Sequence, residues 1–122
     1  MKTLIVEIGM GIDLHGQDLT KAAVRACRNA IEHNSLPGLA ALLPDGDRRH
    51  MQVRVTLGLP ELPEAHPLDE NAVRAVFPYG QVSIQRAAGG LLAHSGVVLP
   101  EKGDRNDAIL VVVAAIEVGI PD

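Results

Sequence analysis

Tryptophan is missing from this chain, and Phe77 and Tyr79 are its only aromatic residues. Alanine, valine, leucine and isoleucine must therefore supply nearly all the buried surface, and a platform for stacking nucleic-acid bases is lacking. Basic clusters are missing as well: the formal charge is −4, which argues against a nucleic-acid partner. The single cysteine, Cys27, excludes an internal disulfide and a cysteine-only metal site. Its neighbours at helical spacing, Ala23, Ala26, Ala30 and Ile31, predict a buried, inert thiol. Long apolar runs are also lacking. The longest, Ala108–Ile116, is about half of the ~20 residues a membrane helix needs. No leader pattern precedes the first strand, so a cytoplasmic protein without membrane partners is expected.

What is present fits one domain, 1–122, large enough to bury a core without staples. Hydrophobic residues make up 47% and charged ones 21%. That balance leaves an apolar surface for a monomer and predicts a symmetric homo-oligomer.

Residues 3 to 12 alternate. Leu4, Val6, Ile8, Met10 and Ile12 form one face, which the alternation predicts to be buried; Gly9 and Gly11 on the other face allow close approach to the backbone. Asp18 suits the N-cap of a helix predicted over 19–34, with Leu19, Ala22, Ala23, Ala26, Cys27, Ala30 and Ile31 on its apolar face. Pro37-Gly38 ends that segment, and one more helical turn is predicted over 39–43. Further strands are predicted over 51–59, 82–86 and 108–118, with a short one over 91–93 and a short helix over 70–76 capped by Asp69. Residues 100–107 read as a charged surface loop. This order predicts an α+β two-layer sandwich, a four- to five-stranded mixed sheet with two helices on one face. Its other face is expected to carry Thr3, Glu7, Gln52, Arg54, Thr56, Ser83 and Gln85 with Ile5 and half of the last strand, a mixture that suits a wet subunit interface.

The loop joining the first strand to the first helix is dense in polar groups: Asp13, His15, Gln17, Asp18, Thr20 and Lys21. A simple connection needs two or three, so a binding role for Asp13 and His15 is expected. Both aspartates equally suit turn and capping bonds, and no second histidine lies nearby in sequence, so no metal is assigned. Lys21 falls at the third helical position, where the helix dipole lowers an amine's pKa and favours a base; a solvated lysine is the plainer alternative. Arg54, mid-strand among apolar neighbours, is either an ion-pair partner of Glu7 or Glu117 or a clamp for a substrate oxygen. Gly89-Gly90 through Ser95-Gly96 fits an anion-binding nest or an ordinary turn. Gly9-x-Gly11 lacks the rest of a dinucleotide fingerprint, and no cofactor is called for.

The block from Ile8 to Ala23, followed by Asn34-Ser35-Leu36-Pro37-Gly38, resembles a small bacterial family of conserved hypothetical proteins. In size and element content the chain is also similar to one unit of trimeric chorismate-mutase-like, ferredoxin-like and reactive-intermediate-deaminase-like folds. Ring-opening amidohydrolases, the cyanuric acid hydrolases and barbiturases, join three such units, each supplying a lysine, an arginine and a serine in that order. Lys21, Arg54 and Ser95 occur in the same order here. That resemblance implies a homotrimer in which Lys21 activates Ser95 against a cyclic amide, while Arg54, Gly89 and Gly90 hold substrate oxygens. The alternative is a non-catalytic oligomer that captures a small polar or anionic metabolite.

Overall fold

Alternating residues build β1 over Lys2–Asp13, but the alternation is used the other way round from the one expected. Gly9, Gly11 and Asp13 are the buried residues, while Val6, Ile8, Met10 and Ile12 are 56, 63, 53 and 36% exposed. The reason lies in the helix that follows, α1 (Leu19–Ile31), whose inner face is Ala22, Ala23, Ala26, Cys27 and Ala30. Such small side chains give little transfer energy apiece, so the helix gains cohesion by coming close enough for backbone-to-backbone dispersion contact. A Cβ at Gly9 would land on the Ala26 carbonyl and the Ala30 amide, and one at Gly11 on the Ala22 carbonyl and the Ala26 amide. Only glycine fits there. The larger apolar side chains between and beside these glycines, Val6, Ile8, Met10 and Ile12, therefore point away from α1.

The whole chain, residues 1–122, is described by a computed structural model. After α1 come three short 3-10 turns between Leu39 and His50, then β2 (Gln52–Leu59), α2 (Glu70–Arg74), β3 (Gln81–Ala88), β4 (Leu91–His94) and β5 (Ala108–Ile120). The sheet order is β1-β5-β2-β3, with β4 beside β5 beyond the end of β2. β5 runs antiparallel to β1, β2 and β4, and β2 is parallel to β3 through the crossover that contains α2. The architecture is the predicted one, an α+β two-layer sandwich with a five-stranded mixed sheet and two helices. α1 ends at Ile31, three residues short of expectation, and Asn34 instead turns back to donate to the Glu7 carboxylate at 3.3 Å.

β5 supplies the middle of the core: Leu110, Val112, Ala114 and Ile116 are fully buried, facing Val53, Val55 and Leu57 of β2 and the alanines of α1. Each large aliphatic side chain so buried contributes roughly 1.5–3 kcal/mol. Cys27 belongs to the same cluster, and burial pushes its thiol up to about 12, which keeps it neutral and unreactive. β1 lies at an edge of the sheet, and α1 covers that edge with polar side chains. Asn29 accepts the Met10 amide at 2.9 Å, and Arg25 donates to the Ile12 carbonyl at 2.7 Å.

Opposite the helices, the sheet is uncovered. Cross-strand pairing puts Val6, Glu117, Arg54 and Ser83 in one row, then Ile8, Ala115, Thr56 and Gln85, then Met10, Val113, Gly58 and Ala87, then Ile12, Val111 and Leu91. Ile5 and Glu7, expected on this face, lie on the helix side beside Val118 and Ile116, and Val6, Ile8, Met10 and Ile12 replace them; a bulge at Leu4 keeps Thr3 on the uncovered face, paired with Gly119 in the row of Gln52. The face is thus polar toward one end and apolar toward the other.

Candidate functional site

The polar loop after β1 is occupied by its own chain. Gln17 is fully buried and adopts φ +50°, a conformation that a side chain accepts only under constraint. Its amide donates to Asp104 at 3.0 Å and to the Ala108 carbonyl at 2.9 Å, while its oxygen accepts the Arg105 amide at 3.0 Å. Asp104 also accepts from His15 Nδ1 and the Gly16 amide, both at 2.7 Å, and from the Leu99 amide at 2.9 Å. Burial alone would raise this carboxyl, but the bonds from Leu99, His15, Gly16 and Gln17 together hold it well below the usual carboxylate range. Residues 100–107, expected as a charged surface loop, are thus latched onto residues 15–17. His66 completes the latch by giving its amide to the Gln17 carbonyl at 2.8 Å.

Asp13 is buried, accepting the Asp18 amide at 2.8 Å with Arg25 4.0 Å away. Asp18 caps α1 through the amides of Thr20 and Lys21. His15 has its ring part-exposed, with Nδ1 spent on Asp104. The Lys21 side chain lies in the exposed first turn of α1, in the helix layer. Arg54 is on the uncovered face, 3.5 Å from Glu117, the second of its two candidate ion-pair partners. The Ser95 hydroxyl sits in a tight turn, accepting the Val97 amide and lying 3.0 Å from the Val97 carbonyl. Gly89 donates its amide to the Leu59 carbonyl, and Gly90, at φ +66°, has no room for a Cβ against the Val111 carbonyl. These two glycines carry the chain past Gly58 from β3 to β4. No hydrogen bond or ion pair joins any two of Lys21, Arg54 and Ser95. A second histidine, His94, meets Asp107 at 3.0 Å, and this bond with the Gly96 amide lowers the Asp107 carboxyl. No group of three or more His, Cys, Asp or Glu side chains could hold a metal ion. No helix is long and apolar enough to cross a membrane.

A cavity of about 370 Å³ opens on the helix side of the sheet, where sequence reasoning placed nothing. Val53, Ile116 and Val118 form its floor; Ile31, Leu39, Leu43, Met51 and Phe77 form its walls. Glu7 and Asn34 line it, as do Tyr79 and Arg48, whose guanidinium stacks 4.9 Å from the tyrosine ring centre. Both aromatic residues of the chain are therefore spent on this one space. The signal available in the sequence was that concentration, Phe77-Pro78-Tyr79, in a chain otherwise without aromatics.

Among curated proteins none matches this chain. It is similar to a crystal structure of an FtsZ-like protein of unknown function from Nostoc punctiforme, with 41% identity and a TM-score of 0.81 over 99% of this chain and 97% of that one. A family model described as conserved hypothetical protein, Lin0512 family, matches residues 3–118. The chain belongs to that family.

Proposed function

We propose that this protein is a homo-oligomeric, non-catalytic small-molecule binder whose copies join through the uncovered sheet face. The observation that supports it is the exposure of Val6, Ile8, Met10 and Ile12 on one edge strand, continuous with Val113 and Leu91. Strands ~4.8 Å apart that rise ~3.3 Å per residue give the face a footprint of roughly 500 Å². Two such faces in contact remove roughly 1,000 Å² from water, the lower bound for a specific interface. The face is also self-complementary: its apolar end matches its own copy, and the loose, part-exposed Arg54–Glu117 pair can exchange partners across a two-fold axis.

Lysine-assisted attack by Ser95, the chemistry implied by the amidohydrolase resemblance, fits this arrangement less well. Its hydroxyl is committed to Val97, and a neighbouring copy would have to bring Lys21 to it. Light scattering on the purified chain tests the proposal. A particle of two or more 12.9 kDa chains, reduced to one by Ile8→Glu with Met10→Glu, is the expected result. A wild-type monomer overturns it.

A further inference from the structure

Two opposite charges without ion-pair partners line the helix-side cavity: Glu7, which is part-buried, and Arg48, which is exposed at its edge. Glu7 sits on the strand floor beside Ile116 and Val118; it receives one bond, from Asn34, and has no cationic partner. Arg48 rests on the Tyr79 ring and has no carboxylate partner. Elsewhere in the chain, Arg25, Arg28, Arg49, Arg54 and Arg86 each have a carboxylate within 4.0 Å, while Arg74 and Arg105 bond to Asn71 and His66. A part-buried carboxylate in apolar surroundings favours a cation that replaces its lost water, and a guanidinium anchored over a ring can offer its fork to a carboxylate.

We infer that this cavity binds a small zwitterion with an apolar body, of the class of leucine or phenylalanine. The ligand's ammonium would face Glu7, its carboxylate Arg48, and its side chain the wall made by Ile31, Leu39, Met51 and Phe77. Size permits it: at about 370 Å³ the cavity has room for either molecule and lies at the small end of the roughly 300–1,000 Å³ of ligand sites. An apolar lining with a few convergent polar groups is the usual make-up of a small-molecule site. This inference names the ligand of the binder proposed above, but the cavity and the assembly face lie on opposite sides of the sheet, so each can fail alone.

The test is calorimetric titration with L-phenylalanine, with 3-phenylpropionate, which lacks the ammonium, and with phenethylamine, which lacks the carboxylate. Wild type, Glu7→Gln and Arg48→Gln are compared, and each is also titrated in the Ile8→Glu/Met10→Glu background, where assembly is removed. Phenylalanine is expected to bind best, each truncated probe about tenfold or more weaker, and each variant to weaken phenylalanine by a similar factor. Glu7→Gln should cost nothing further toward phenylpropionate, nor Arg48→Gln toward phenethylamine. Ala40→Phe, at an exposed residue of the cavity lining, should obstruct the space and abolish binding while the circular dichroism spectrum is kept. No heat with any probe up to about 10 mM, equal affinity for all three probes, or binding indifferent to both charge variants would overturn the inference.

Discussion

The two faces of β1 are made by one strand and differ in almost every property. On the helix side the strand offers Gly9 and Gly11, and α1 closes on it until no side chain fits between. On the other side it offers Val6, Ile8, Met10 and Ile12 and nothing closes on them. The stability of the subunit is concentrated on the first face, where contact is already made. The second leaves its apolar area uncovered, and the comparison teaches that the glycines, rather than the large residues, mark the inside of this strand.

Changes on the glycine face should have the largest effect. Gly11→Ala puts a methyl group into the α1 backbone, which cannot yield as a flexible side chain would. A loss of about 3 kcal/mol or more is expected in urea unfolding. Smaller but still substantial, Gln17→Ala leaves the Arg105 amide and the Ala108 carbonyl without this partner in a buried site. That predicts a loss of about 2–3 kcal/mol and faster amide exchange across residues 99–108.

The Asp104 latch adds a pH dependence. Its folded carboxyl is depressed, so its contribution is complete above the unfolded value of about 3.9 and fades as pH falls through the lower folded value. Thermal unfolding followed from pH 6 down to pH 2 should show that decline, and Asp104→Asn should flatten it while lowering stability at neutral pH. The smallest effect is expected at Lys21, whose side chain makes no ion pair: Lys21→Ala should change stability by less than about 0.5 kcal/mol and leave the assembly's mass unchanged. A change in mass would mean that the helix layer also takes part in assembly.

The elements of this fold were legible because period-2 and period-3.6 patterns are local, and Asp18 and Asp69 announce their helices as caps. The buried face of β1 was not, because alternation fixes that two faces exist without saying which is covered. The clue lay outside the strand, in Ala22, Ala26 and Ala30, which can bury themselves only against a surface without side chains. The latch was illegible for another reason. Gln17 and Asp104 stand 87 residues apart, and only the β1–β5 pairing, which places Asp13 opposite Leu110, brings their loops together. The polar density of the 13–21 loop, expected to serve binding, is largely taken up by hydrogen bonds to residues 99–108 of its own chain. The cavity draws on β1, α1, the 34–51 segment, β2, the turn at Phe77–Tyr79 and β5, so no stretch of sequence contains its outline.

Multi-angle light scattering of the wild-type chain beside the Ile8→Glu/Met10→Glu variant, with urea unfolding of both, tests the central claim most directly. An oligomer that becomes a 12.9 kDa monomer while the fold keeps its stability to within about 0.5 kcal/mol is the predicted result. A wild-type particle that is already a monomer, or a variant that keeps the wild-type mass, would contradict it.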